Sequence, residues 1–364
     1  MPYGNVNVDT VTTSTTGGIL GGGNASIMKN RIINGAMVID QRNAGASVTV
    51  NSASNAFIAD RWFANGESSD GVFTGQQVTT APTGFNNSLK FTVTTADASI
   101  GATQGYTFRQ RIEGYNFADL GYGTADAKTI TISFWVQSSV TGAFGGSLFN
   151  GNGDRVYPFS FTINSANTWE QKSVTIAGDT TGTWSTTNGT ALNLVFSLGV
   201  GSTYKGTAGA WGSTFFFAPT GSVNLIATLN ATFFLTGAQL EIGSSATGFE
   251  YVNYQTSLAN CQRYFIKYGG DQVYEHVASG MGIAGTQAQC DTPVPVPMRT
   301  TPSSSISTLA LNDGVGALIS VSSANIQTTE SSSRRISITY IVASGVTTNR
   351  PYNVNTNNST SGFL

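Results

Sequence analysis

Between Asn30 and Tyr251 the chain is a succession of short segments in which apolar and polar residues alternate. In KTITISFWVQSS (128–139), Ile130, Ile132, Phe134 and Val136 fall on one side, and Thr131, Ser133, Trp135 and Gln137 on the other. A period of two puts successive side chains on opposite faces of a strand. SLKFTVTTA (88–96) repeats the pattern with Leu89, Phe91 and Val93, and GYTFRQRIEG (105–114) with Tyr106, Phe108 and Ile112. PFSFTINS (158–165), WEQKSVTIAG (169–178), LNLVFSLGV (192–200) and ATFFLTGAQLEIG (231–243) follow, separated by turns containing Gly or Asn. Residues 31–250 hold no helical period over three turns. Short strands at regular spacing predict an all-β sandwich or barrel, and about eight to ten of them suit a jelly roll. The segments 140–157 and 199–222 read as its long loops, where a rigid sandwich carries binding groups. In the closing strand Ala238, Leu240 and Ile242 alternate with Gln239 and Glu241, which predicts an open polar face for the last two.

The pattern differs at both ends. Residues 1–30 contain GGILGGGNAS (17–26) and few apolar anchors, which reads as an extended N-terminal arm. From about residue 256 a second texture begins. LANCQRYFIKYGG (258–270) predicts a turn of helix running into an aromatic strand. DTPVPVPMRTTPSSS (291–305) carries four of the nine prolines and is expected as edge or linker structure. ISTLAL (306–311), ALISVSS (317–323) and RRISITYIVAS (334–344) are alternating strands. The expected organisation is an arm over 1–30, a jelly-roll sandwich over 31–255 and a smaller C-terminal β domain over 256–364.

Composition narrows the function classes. Hydrophobic residues make up 40%, enough for a sizeable core, whereas only 10% are charged against roughly 25% in ordinary soluble domains. The polar surface therefore comes from Ser, Thr, Asn and Gln. With a net charge of −2 and no basic stripe, nucleic-acid binding is not expected. The apolar runs, such as STFFFAP (213–219), are too short to insert in a membrane. The first residues lack the basic head and apolar stretch of a secretory signal, which predicts synthesis in the cytoplasm.

Catalytic chemistry finds little support. Glycoside hydrolysis needs two carboxylates across one bond, but Glu113, Glu170, Glu241 and Glu250 share no motif, and Glu113 is expected to pair with Arg109 and Arg111. The single histidine, His276, and the absence of GxSxG disfavour a serine nucleophile. Cys261 and Cys290 lack zinc-site spacing and read as free thiols. No metal or cofactor is expected. Binding remains, with aromatic rings for the apolar faces of sugars. Trp62, Trp135, Trp169 and Tyr157 are as readily packing residues. Trp184, Tyr204 and Trp211 stand on loops and are the candidate ligand-binding residues.

NRIINGAMVIDQRNAG (30–45), DRWF (60–63), FRQRIEG (108–114), KTITISFWVQSS, TWEQKSVTIAGDTTGTW (168–184), TGAQLEIGSSATGFEY (236–251), CQRYF (261–265) and PVPMRTTPS (295–303) together resemble the framework of bacteriophage tail-fibre and related virion-surface proteins. The middle region is also similar to jelly-roll carbohydrate-binding modules. The resemblance implies a non-enzymatic homotrimer on the virion surface, docked to tail baseplate or capsid proteins through residues 1–30. It further implies attachment to host cell-surface polysaccharide or lipopolysaccharide, with 256–364 as the distal tip. A capsid-decorating head fibre or cement protein, a carbohydrate-binding module of a secreted bacterial protein and a polysaccharide-cleaving tailspike are the alternatives. In the family pattern Glu241 belongs to the scaffold.

Overall fold

The computed structural model describes residues 28–53, 55–67, 70–269, 273–316 and 318–357, together with the backbone of the short strands 11–12, 19–20 and 362–363. Most of the arm expected over 1–30 lies outside the described residues. Its last residues are fastened to the body: Lys29 Nζ donates to Gly248 O at 2.7 Å and the Asn30 amide to Glu250 Oε2 at 2.5 Å.

The alternating segments form twelve strands: β1 (Val48–Val50), β2 (Ala56–Ala59), β3 (Trp62–Asn65), β4 (Val72–Val78), β5 (Ser88–Thr95), β6 (Gly105–Glu113), β7 (Ile130–Ser138), β8 (Gly142–Asn150), β9 (Val156–Ile163), β10 (Glu170–Ile176), β11 (Thr190–Val200) and β12 (Thr232–Ile242). They make two six-stranded antiparallel sheets, in the order β9-β8-β11-β6-β3-β2 and β10-β7-β12-β5-β4-β1. Packed face to face, these sheets are a jelly-roll β-sandwich. The periodicity explains its core: Ile130, Ile132, Phe134 and Val136 are fully buried, as are Leu89, Phe91, Tyr106 and Phe108. Phe91 stacks on Phe108 across the two sheets, with centroids 4.3 Å apart, and Phe108 stacks on Phe196 of the neighbouring strand in its own sheet at 5.1 Å. Offset contacts of this kind add about 0.5–1.5 kcal/mol beyond burial. Gly146 permits close approach, because a Cβ there would lie 1.8 Å from Val195 O on the neighbouring strand.

Helix α1 (Tyr254–Gln262) follows, capped by the Asn253 side chain, which accepts from the Thr256 amide at 2.9 Å. A second apolar core then fills a closed barrel of β13 (His276–Ala284), β14 (Gln287–Pro293), β15 (Leu309–Asn312), β16 (Ile319–Ile326), β17 (Arg335–Val342) and β18 (Pro351–Thr356), in the order β13-β14-β17-β16-β15-β18.

Three expectations are corrected. Residues 140–157 are no loop but most of the β8–β9 hairpin, whose small residues Gly145, Gly146 and Ser147 hid its alternation. Residues 264–268 form no strand; the rings of Tyr264 and Phe265 instead pack beneath arginines. Gln239 and Glu241 do not face solvent, being 0% and 2% exposed, because segments 29–30 and 247–250 fold over them.

Candidate functional site

The outer face of the first sheet carries the residues that alternate with its core: Phe63 and Asn65 on β3, Arg109 and Arg111 on β6, Asn193 and Val195 on β11, and Phe149 on β8. One half of this face is sealed. The loop 201–222 folds back through a short parallel pairing of 205–206 with 218–219 and lays Phe215, Phe216 and Phe217 over Phe149, Val156 and Val195. The three consecutive phenylalanines, read in the sequence only as a run too short for a membrane, are thus the lid of a sheet.

The other half stays open and meets helix α1 and the segment 294–305. Here lies a cavity of about 170 Å³ lined by Arg42, Arg61, Arg111 and Arg299, by the rings of Phe57, Phe63, Tyr264 and Phe265, and by Asn188 and Thr190. Each arginine is placed by local structure. Arg42 sits in a turn held by Asp40, whose carboxylate accepts from the Asn43 and Gly45 amides at 3.0 and 2.8 Å. Arg61 occupies the tight β2–β3 turn with φ 74°, a left-handed conformation. Arg111 continues the outward face of β6, and Arg299 is held by its backbone amide, which donates to Arg263 O at the end of α1, and by its Nη1, which donates to Asn188 O of the sandwich at 3.0 Å.

The guanidiniums lie on aromatic faces. Arg42 is 3.4 Å from the Phe265 centroid and 4.4 Å from that of Phe57, Arg61 is 3.5 Å from Tyr264, and Arg111 is 4.8 Å from Phe63. Such stacking holds a guanidinium in place and leaves its edge N–H groups for other partners. Burial lowers the pKa values of Arg42 and Arg61; at Arg111 burial is joined by the like charge of Arg299. Beside them, burial and the charge of Arg111 hold Arg109 at about 10.

Two carboxylates border the cavity and both are engaged. Asp60 accepts from the Gln41 amide at 3.1 Å and from its side chain, while burial raises its pKa. Glu113 receives a bidentate bond from Arg263, Nε at 2.9 Å and Nη2 at 2.5 Å, and one from the Tyr264 hydroxyl. Its partner is therefore Arg263, 150 residues away, and not Arg109 or Arg111 as its neighbourhood in sequence suggested. Burial alone would raise the pKa of Glu113, and these bonds outweigh it.

The loop candidates fall in two places. Trp184 and Trp211 meet edge to face, with centroids 5.5 Å apart, in a cluster with Phe117, Tyr122 and Tyr157. Trp184 is 8% exposed and Trp211 half-buried, and their indole N–H groups donate to Thr181 O and Ala177 O at 3.0 and 2.8 Å. Tyr204 stands apart from them, against Phe215 and Phe217 of the lid. Trp62 is fully buried and donates to Asn34 O. None of these lines the arginine cavity. That cavity escaped the sequence because its arginines lie singly at 42, 61, 111 and 299; the one legible signal was Arg61 two residues from Phe63 in DRWF.

No protein-family model and no curated protein sequence matches the chain. Solved structures do match in fold. A CBM4 carbohydrate-binding module aligns over 58% of this chain and 98% of its own, with 15% identity and a TM-score of 0.27. The family 11 carbohydrate-binding module from Clostridium thermocellum, in complex with a mixed-linked tetrasaccharide, aligns over 57% and 100%, with 9% identity and a TM-score of 0.26. The enzymatically active domain of tailspike protein 4 of bacteriophage CBA120 aligns over 59% of this chain and 21% of its own, with 10% identity and a TM-score of 0.30. The chemistry of the cleft stands on this chain's own residues.

Proposed function

We propose that this chain is a non-catalytic glycan-binding protein of a virion surface, a trimeric tail fibre that attaches the particle to its host. The observation that supports binding is the half-open outer face of the first sheet: phenylalanines seal one half, and the other is a cavity rimmed by ring faces and guanidinium, amide and hydroxyl groups. Sugar-binding sites combine such apolar surface with a few fixed polar groups. A non-catalytic role is supported by what the glutamates do. Glu113 is clamped by Arg263, Glu170 by Asn164, Ser165 and Lys172, Glu241 by Thr247 and Gln239, and Glu250 by the Asn30 amide. The two carboxylates that border the cavity, Asp60 and Glu113, are themselves bonded to Gln41 and to Arg263 with Tyr264, whereas a glycosidase leaves its pair free to act on the bond between them. The virion location and the trimer follow the resemblance of the sequence framework.

The test is retention of the labelled chain on an array of bacterial surface polysaccharides, with reducing ends assayed in parallel. Retention on some of them without release of reducing sugar is the expected result. Release of reducing ends would replace this reading with the tailspike enzyme. Failure to be retained on any polysaccharide would overturn glycan binding.

A further inference from the structure

We propose that the arginine cavity binds an oxyanion carried by a saccharide, a carboxylate or a phosphate, so that the protein selects acidic over neutral glycans; this rests on the glycan-binding reading above. Four of the chain's eleven arginines line one cavity in a protein of unusually low charge. Among the described residues none of the four forms an ion pair; the carboxylates at the rim are Asp60 and Glu113, taken up by Gln41 and by Arg263 with Tyr264. The Nε atoms of Arg42 and Arg61 are buried without a hydrogen-bond partner, as is that of Arg109 next along the sheet.

A guanidinium has five donors. Arg61 uses one on Arg111 O and Arg299 one on Asn188 O, so most of the donors in this cluster remain for a ligand. Buried donors left unmatched are costly, and like charges held together repel. A neutral sugar would relieve only the first of these costs, whereas an oxyanion relieves both and offers the bidentate geometry a guanidinium prefers.

The size of the cavity and its neighbours favour a saccharide as the carrier. At about 170 Å³ it is smaller than the roughly 300–1,000 Å³ of sites for drug-sized ligands, and so takes one charged group with its ring. Phe63, Asn188 and Thr190 lie beside the arginines for a sugar face and its hydroxyls. A nucleic acid would require a track of cations along a backbone, which a chain of net charge −2 with isolated arginines does not offer.

The full chain would be titrated calorimetrically with trigalacturonate, galactotriose, mannose 6-phosphate and an oligothymidylate, at low salt and at ~0.15 M salt. Trigalacturonate, mannose 6-phosphate or both should bind at least about tenfold more tightly than galactotriose, and the preference should shrink with salt. Arg111→Gln and Arg299→Gln, both at exposed positions, should together erase that preference while the variant keeps a cooperative thermal unfolding transition, lowered at most by the loss of the Arg299–Asn188 bond. Equal affinity for acidic and neutral saccharides, or a preference that survives both substitutions, would overturn the oxyanion site while leaving glycan binding standing. Binding of the oligothymidylate ahead of every saccharide would overturn both.

Discussion

Glu113 shows how one side chain can join distant parts of the chain. It is almost wholly buried at the end of β6, and its charge is met by Arg263 just beyond α1 and by the Tyr264 hydroxyl. Removing one partner of a buried ion pair strands the other, so Glu113→Ala should destabilise the protein by about 3 kcal/mol. Urea unfolding followed by tryptophan fluorescence measures it, and a loss within error of zero would show the clamp to be ornamental. Glu170 is a different case. Burial works against its charge, but Lys172, the Ser165 and Asn164 amides and the Asn164 side chain outweigh it and pull its pKa from 4.5 to about 2. A carboxylate whose folded pKa is depressed contributes stability above its unfolded pKa and loses it as pH falls through the folded one. Glu170→Gln should therefore flatten the acid-induced loss of stability between about pH 4.5 and about pH 2, read from urea midpoints across that range.

At the level of elements, the loop 201–222 and its Phe215-Phe216-Phe217 run decide how much of the first sheet is available. Half-buried rings over Phe149, Val156 and Val195 contribute about half of a fully buried phenylalanine, or about 1–1.5 kcal/mol each. Replacing Phe215 and Phe217 with Ser should lower stability by about 2–3 kcal/mol and expose the outer sheet face, visible as new binding of an apolar dye. A variant with wild-type stability and no dye binding would mean that the loop covers nothing of consequence. The same element holds Tyr204 against Phe215 and Phe217, which ties that candidate to the lid.

For the whole molecule, the sandwich and the barrel each close a core of their own, and the seam between them is polar: Arg263 with Glu113, and Arg299 with Asn188 in both directions. A ligand seated in the arginine cavity would touch the sandwich, the end of α1 and the segment 294–305 that lie between the two cores. If the chain is a fibre subunit, light scattering after size exclusion should give a mass near three times 38.0 kDa. A mass of 38.0 kDa at micromolar concentration would remove the trimer from the proposal and favour a single binding module.

The period of two along 88–96, 128–139 and 192–200 by itself determined the strands and the core, since alternation leaves a chain only one way to bury its apolar face. It also determined the all-β class. It did not determine the β8–β9 hairpin, where glycine and serine replace the apolar marks, nor the burial of Gln239 and Glu241, which depends on the segments 29–30 and 247–250 folding over them. The cavity was decided by tertiary structure alone. Its arginines come from the turn ahead of β1, the β2–β3 turn, an outward strand position and a proline-rich segment, and only the packing of α1 and 294–305 against the sheet edge brings four isolated charges to one place. Periodicity records which side of an element faces inward; it holds no record of what the outward side will meet.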